Sequence, residues 1–235
     1  MKQKMQKLYV TTGVMLILFL IFVIGVEHVD VASIGPEGSS VGFATINKAV
    51  QESLGVNMSW YQITNGIGFG AILVAAGFAM TGFIQLVKRK RIGKVDKNLF
   101  CLAGFYVLVV GMYILFEKVI INYRPILMEG ELEASFPSSH TMLVICIFVT
   151  AIDQWKLYIH RRAYRLGVDL VASILIILTI VGRILSGVHW FTDILGGILL
   201  SSVLILFYYV IMGKIASNRD DRFKSGGKRK SYFRK

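Results

Sequence analysis

Residues 10–26 read VTTGVMLILFLIFVIGV, a run without a charged side chain. A helix needs about 20 mostly apolar residues to cross a bilayer, within a range of about 17–25. Further runs meet this criterion at residues 63–87, 99–116, 166–182 and 194–212. A soluble domain carries about 25% charged residues, whereas this chain of 235 residues carries 17% and is 55% hydrophobic. The sequence therefore predicts a polytopic membrane protein. It excludes a soluble enzyme, a disordered chain and a disulfide-stapled secreted domain.

A sixth span is the least obvious, because its apolar run covers only residues 141–152. Extension to residues 138–155 gives it spanning length. We make this extension because basic clusters flank the neighbouring spans on alternating sides, which requires another crossing here. The predicted fold is an all-α membrane protein with six transmembrane helices in a single bundle. Residues 1–213 form this domain, and residues 214–235 form a basic cytoplasmic tail.

The Lys and Arg residues set the predicted orientation, because such residues concentrate in cytoplasmic loops. The N-terminus, the second and fourth loops and the tail together hold 22 of the 26 basic residues. This side is predicted to be cytoplasmic, with both termini inside the cell. Although the net charge is +12, a basic tail after a span indicates attraction to anionic lipid at the cytoplasmic face rather than nucleic-acid binding.

The first outer loop has the pattern of a short amphipathic helix. Phe43, Ile46, Val50 and Leu54 follow one another at intervals of three and four residues. The opposite face is polar and consists of Asn47, Lys48, Gln51 and Glu52. We predict a helix that lies on the outer leaflet and ends at Gly55.

A small set of ionisable residues remains near span ends on the predicted outer side. It comprises Lys118, Arg124, Arg183, His140, His189 and Asp193. Ionisable groups in or near the bilayer are costly and indicate function by default. We therefore predict a functional site at the outer mouth of the bundle.

Three segments carry this set in a fixed order. The third span is followed by Lys118, five residues and then Arg124-Pro125, and the fourth opens with Phe-Pro-Ser-Ser-His over residues 136–140. Between the last two spans come Gly182-Arg183, five residues, His189, three residues and Asp193. Their order, spacing and placement resemble the signature of the type 2 phosphatidic acid phosphatase superfamily, the integral-membrane lipid phosphate phosphatases.

The resemblance implies a role for each of three residues. His189 forms a phosphohistidine, Asp193 orients it, and His140 acts first as the acid and then as the base. The resemblance also implies that no metal or other cofactor is required. The carboxylates of the outer loop that could attract a divalent cation are Glu129, Glu131 and Glu133, for which we expect a solvated acidic loop.

The chemistry of phosphoryl transfer supports the same residue types independently. The reaction needs positive groups around the nonbridging oxygens and an in-line nucleophile. Arg124 and Arg183 can offer forked donors to a phosphate. Ser138, Ser139 and the free N–H groups that open the fourth span can add an anion seat.

The histidines and the aspartate fit the catalytic half of that chemistry. His189 and Asp193 are four residues apart and face the same way if the sixth helix begins near Trp190. Asp193 can then hold one imidazole nitrogen and leave the other free as the nucleophile. His140 remains to protonate the leaving oxygen and then to activate water.

The sequence departs from the family pattern in three places. The family lysine lies seven residues before the arginine, but that position holds Glu117, and Lys118 is six residues before Arg124. Lys118 is a candidate phosphate ligand only if the helix has already unwound there, because on a regular helix six residues place it about 120° from the arginine's face. Ser139 replaces a glycine of the family, and Gly182 replaces a serine.

The leading functional hypothesis is a hydrolase that removes phosphate from a membrane lipid at the outer face. The resemblance suggests undecaprenyl diphosphate, phosphatidylglycerophosphate or phosphatidate as the substrate, with a slight preference for the first. A lipid phosphotransferase would use the same residues, so it stays open, as do a non-catalytic lipid-binding scaffold and the oligomeric state. A transporter is disfavoured because the polar residues gather at one mouth of the bundle.

Overall fold

The computed structural model describes residues 2–232, with side chains for residues 3–217, and the regular secondary structure in that part of the chain is helical. The long elements are α1 (Lys2–His28), α2 (Ala44–Leu54), α3 (Met58–Arg89), α4 (Lys97–Lys118), α5 (Ser139–Tyr158), α6 (Arg162–Ser186) and α7 (Phe191–Tyr232). Two single-turn 3₁₀ helices, Pro36–Gly38 and Ile92–Lys94, lie in the connections. The strand-like contacts among these residues are isolated bridges.

Six of these helices, namely all except α2, are long and apolar enough to cross a membrane. The predicted all-α fold with six spans is thus confirmed. Each helix continues beyond its predicted apolar run, because hydropathy marks the part within hydrocarbon while backbone hydrogen bonding carries the helix further. The predicted tail, residues 214–235, begins inside α7, because this helix continues past residue 213 to Tyr232. Residues 233–235 lie outside the described part of the chain.

The span that the sequence marked least clearly, α5, lies at the centre of the bundle. It packs against α3, α4, α6 and α7, and 56% of its most apolar stretch is buried inside the protein. For α1 the corresponding share is 11%, because α1 packs chiefly along α7 and faces the surroundings elsewhere. A helix enclosed by other helices has little contact with lipid, so its sequence tolerates more polar residues.

The connection between α4 and α5 is a small hairpin-like loop. Tyr123 bridges to Ala134, the Arg124 N–H donates to the Glu133 carbonyl (3.0 Å), and the Ser135 N–H donates to the Asn122 carbonyl (2.9 Å). These bonds fix Arg124 and Ser135 on neighbouring strands of the loop at one end of the bundle.

The helix predicted in the first outer loop is present as α2, and it ends at Gly55, whose φ of +65° lies in the left-handed region. Asn47 and Gln51 of its polar face turn towards the protein, whereas Lys48 and Glu52 of that face are exposed. Asn47 is 1% exposed and donates to the Gly42 carbonyl (2.8 Å) and to the Thr192 hydroxyl (2.9 Å), while its amide oxygen accepts from the Thr192 N–H (3.1 Å). Gln51 donates to the Gly187 carbonyl (3.0 Å). Helix α2 therefore holds both ends of the turn between α6 and α7.

We expect Asn47→Ala to lower the free energy of unfolding by about 1–3 kcal/mol, because it leaves buried backbone groups of Gly42 and Thr192 without partners. Chemical unfolding of the purified protein in detergent measures this difference. Ser53→Ala is the matched control, since Ser53 is exposed on the same helix and its hydroxyl bonds only to the Ala49 carbonyl. Equal losses for the two variants would contradict the prediction.

Candidate active site

The predicted site residues lie where several helix ends meet the α4–α5 loop. His140 is in the first turn of α5, Arg183 is in the last turn of α6, and Asp193 is in the first turn of α7. His189 lies in the turn between α6 and α7. The Ser138 N–H, at the start of α5, donates to the Asp193 carbonyl (2.9 Å) and so joins two of these helix ends.

His189 is held through both ring nitrogens, and its side chain is 1% exposed. Its Nε2 lies 3.3 Å from Arg124 Nη1, and its Nδ1 lies 3.0 Å from the Ser135 hydroxyl oxygen. Burial lowers the pKa of the His189 imidazole well below its usual range, and the positive charges of Arg124 and Arg183 act in the same direction. The ring is therefore neutral at neutral pH.

The Asp193 carboxylate is fully buried and accepts hydrogen bonds from three segments of the chain. It accepts from the Trp190 N–H (2.8 Å), from the Ser135 hydroxyl and from the Asn122 amide (3.4 Å). Its Oδ2 is 3.8 Å from His189 Nδ1, which is too far for a hydrogen bond. The structure thus places Asp193 beside His189, with the Ser135 hydroxyl bonded to both.

Sequence reasoning missed Ser135. It lies 58 residues from Asp193 and 54 from His189, so no local spacing connects it with either residue. The available signal was its position directly before the Phe-Pro-Ser-Ser-His segment.

Arg124 is 8% exposed, and its Nε lies 3.0 Å from a carboxylate oxygen of Glu133. Glu133 belongs to the acidic loop that was expected to be solvated, and its side chain is 47% exposed while it faces this arginine. Among the side chains that the structure describes, no group of three His, Cys, Asp or Glu residues is arranged to hold a metal ion.

Arg183 is fully buried and is fixed by α3. Its Nη2 donates to the Asn65 side-chain oxygen (2.6 Å), and its guanidinium lies over the Tyr61 ring at 5.0 Å from the centroid. Its Nε and Nη1 are buried without a hydrogen-bond partner among the described residues. A buried donor without a partner is costly, and a bound phosphate oxygen would satisfy these two.

His140 packs against α3 at Gly68. A Cβ atom at that position would lie 3.0 Å from His140 Cδ2, which is closer than ordinary contact, so a larger residue there would require the His140 ring to shift. The ring nitrogen Nδ1 of His140 is buried and has no hydrogen-bond partner among the described residues. His140 thus keeps one nitrogen free for proton transfer.

The two predicted serine ligands differ in their surroundings. The Ser138 hydroxyl is fully buried and accepts a hydrogen bond from Thr141 (3.0 Å). Ser139 lines a small pocket together with His189, Ser135 and Glu117. Ser139 is therefore the better placed of the two to meet a ligand.

Comparison with known proteins identifies the family of the chain. The family model of the PAP2 superfamily matches residues 71–216, which include all of the predicted site residues. The chain belongs to the PAP2 superfamily. Phosphatidylglycerophosphatase B of Bacillus subtilis (strain 168) is 33% identical over 95 residues, which are 40% of this chain and 45% of that relative. The matched part thus spans less than half of the relative.

The fold is also similar to that of a solved PAP2 protein. The crystal structure of a transmembrane PAP2-type phosphatidylglycerolphosphate phosphatase from Bacillus subtilis superposes with a TM-score of 0.58. The match covers 87% of this chain and 96% of that chain at 19% sequence identity. At this identity the likeness concerns the fold.

The family lysine is displaced by one residue at the end of α4, and this displacement changes which side chain lines the pocket. Glu117, which stands where the family lysine is usual, lines the pocket beside His189. Lys118 is exposed and does not line that pocket. The one-residue shift along α4 therefore places a carboxylate, rather than the lysine, in the lining of this pocket.

The lowered pKa of His189 predicts a pH-dependent stability. An unfolded histidine has a pKa of about 6.5, so below that pH the unfolded chain binds a proton that the folded chain excludes. The contribution of neutral His189 to stability is present above about pH 6.5 and declines on acidification by up to about 1.4 kcal/mol per pH unit.

We therefore expect the unfolding midpoint of the wild-type protein to fall relative to that of His189→Gln as the pH is lowered from about 7.5 to about 5. Thermal unfolding in detergent across this range measures the difference. His28→Gln, at an exposed position of α1, controls for the loss of a histidine as such. Parallel curves for wild type and His189→Gln would contradict the prediction.

Proposed function

We propose that this PAP2 protein is a membrane lipid phosphatase that acts through a phosphohistidine at His189. The observation that carries the proposal is the buried, neutral His189 imidazole, whose Nε2 faces the Arg124 guanidinium at 3.3 Å. A neutral ring nitrogen beside a cation is suited to attack a phosphorus atom whose oxygens that cation binds.

The proposed reaction has two steps that use the same residues. His189 Nε2 attacks phosphorus, the bond to the lipid oxygen breaks, and His140 donates a proton to that oxygen. A water molecule then attacks the phosphohistidine, the nitrogen–phosphorus bond breaks, and His140 takes a proton from the water. Arg124 and Arg183 hold the nonbridging oxygens throughout. The chain's own residues supply each of these groups, so the mechanism needs no metal or other cofactor.

Two further contacts complete the proposed phosphate site. Ser139 lines the pocket beside His189, and the first N–H groups of α5 supply additional donors at a helix N-terminus. Ser138 belongs to the same turn, although its hydroxyl already accepts from Thr141. Lys118 is exposed at the end of α4, so we expect it to contribute little, and its part in phosphate binding stays a prediction.

Phosphatidylglycerophosphate is the substrate that we favour. A relative that is 33% identical over 95 residues is named for this activity, and so is the protein with the similar fold. Undecaprenyl diphosphate, which the sequence alone slightly favoured, stays a prediction, as does phosphatidate. A lipid phosphotransferase would differ only in the acceptor of the second step.

We propose that the site faces the extracytoplasmic side of the cell membrane. The site lies at the C-terminal ends of α4 and α6 and the N-terminal ends of α5 and α7, whereas the basic clusters lie at the opposite ends of these helices. Basic residues favour the cytoplasm, so both termini are placed inside. The segment 214–235 would then meet anionic lipid of the cytoplasmic leaflet.

Free phosphate release in detergent with excess EDTA tests the reaction. We expect purified wild-type protein to release phosphate from one or more of phosphatidylglycerophosphate, undecaprenyl diphosphate and phosphatidate, with the first the fastest. Loss of a nucleophile that acts as part of a unit is severe, so His189→Ala should lose at least about 1,000-fold. His28→Ala, at an exposed position, is the control. Equal release by His189→Ala and wild type would overturn the assignment, and phosphate found on a second lipid would indicate a transferase.

Arg124 and Lys118, the two basic residues near the end of α4, should contribute differently to kcat/KM. Arg124→Ala removes a cation next to His189 and should lower kcat/KM by about 100-fold or more. Lys118→Ala removes an exposed cation and should leave kcat/KM within about 3-fold of wild type. Steady-state kinetics on the preferred lipid compare the two. A larger loss for Lys118→Ala would show that this lysine reaches the phosphate.

A further inference from the structure

The contact between Asp193 and His189 passes through a third side chain. Asp193 Oδ2 and His189 Nδ1 are 3.8 Å apart, beyond hydrogen-bond distance. The Ser135 hydroxyl lies 3.0 Å from His189 Nδ1 and contacts Asp193 Oδ2. The Ser135 residue is 2% exposed, and the side chains of His189 and Asp193 are 1% and 0% exposed. The three groups thus form a buried chain of hydrogen bonds.

With Asp193 ionised, the protons in this chain have one consistent arrangement. An ionised carboxylate has no proton to donate, so Asp193 must accept the hydroxyl proton of Ser135. Ser135 has no second proton, so its oxygen must accept a hydrogen bond from His189 Nδ1. A neutral imidazole carries one N–H, and this bond places it on Nδ1. The lone pair of His189 is therefore on Nε2, the nitrogen that faces Arg124.

We propose that Ser135 is the positioning residue through which Asp193 sets the tautomer and orientation of His189. This inference rests on the proposed function for its catalytic consequence. When Nε2 attacks phosphorus, the bond to the lipid oxygen breaks and that oxygen takes its proton from His140. The Nδ1 proton stays on the ring, which becomes positively charged. The hydrogen bond from Nδ1–H to Ser135 then strengthens, because Asp193 polarises the hydroxyl.

The α4–α5 loop explains how Ser135 reaches this position. The Ser135 N–H donates to the Asn122 carbonyl (2.9 Å), and the Asn122 amide also donates to Asp193 Oδ1 (3.4 Å). The same pair of strands carries Arg124. One loop thus delivers a phosphate-binding cation to Nε2 of His189 and a hydroxyl to Nδ1.

The test compares Ser135→Ala, Ser135→Thr and the control Ser201→Ala in phosphate release. Ser201 is also a fully buried serine, but its hydroxyl bonds to the Ile198 carbonyl within α7. Partners that orient a metal-bound histidine contribute about 10–100-fold, and we take the same range for this histidine, so kcat should fall by that factor in Ser135→Ala with KM within about 2-fold. Ser135→Thr retains a hydroxyl and should recover to within about 3-fold of wild type. A kcat for Ser135→Ala equal to that of Ser201→Ala would overturn the proposal.

A double-mutant cycle separates action through Ser135 from direct action of Asp193. Asp193→Asn should lower kcat by about 10-fold or more in the wild-type background and by less than about 2-fold in the Ser135→Ala background. An equal loss in both backgrounds would mean that Asp193 acts on His189 without Ser135.

The tautomer of His189 gives a readout that does not depend on activity. Nitrogen-15 NMR of histidine-labelled protein, with the resonance assigned by its loss in His189→Gln, should show the Nδ1–H form in wild type and in Ser201→Ala. Ser135→Ala should lose this preference. An unchanged Nδ1–H form in Ser135→Ala would refute the role of Ser135, whereas a wild-type protein with this tautomer and no phosphatase activity would refute the proposed function alone.

Discussion

The carboxylate of Asp193 is fully buried, and a buried charge is tolerated only where hydrogen-bond donors replace the water that it has lost. One donor is the Trp190 N–H in the turn before α7. The other two are the Asn122 amide and the Ser135 hydroxyl, which lie on opposite sides of the α4–α5 loop. The backbone carbonyl of the same residue accepts from the Ser138 N–H at the start of α5. The hydrogen bonds to Asp193 therefore hold the start of α5, the start of α7 and the loop together, and with them the groups that contact the two nitrogens of His189.

The helix ends around Asp193 also determine the electrostatics of the site. Helices α5 and α7 both begin there, and the N-terminus of a helix carries a partial positive charge. Arg124 and Arg183 add two full positive charges, while α3 restrains Arg183 through Asn65 and Tyr61. The end of an otherwise apolar bundle is thus prepared for an anion.

Several features of the fold follow from local patterns and were predictable. The apolar runs mark five spans directly, and the spacing of Phe43, Ile46, Val50 and Leu54 predicts α2 and its end at Gly55. The pattern does not reveal that Asn47 on the polar face would be buried against Thr192. Hydrophobic periodicity shows that a helix has two faces, but a buried polar face needs a partner that only the folded chain provides.

The sequence by itself determined the six-span helical fold, the order of the phosphatase-like segments and the choice of His140, His189, Asp193, Arg124 and Arg183 as candidates, because hydropathy and short spacings are properties of neighbouring residues. Only the tertiary structure decided that Ser135 stands between Asp193 and His189, that Asn65 holds Arg183, and that Glu117 rather than Lys118 lines the pocket. The Ser135–Asp193 and Asn65–Arg183 contacts join residues 58 and 118 positions apart. Such distances are closed by packing of the helices, which no local pattern encodes.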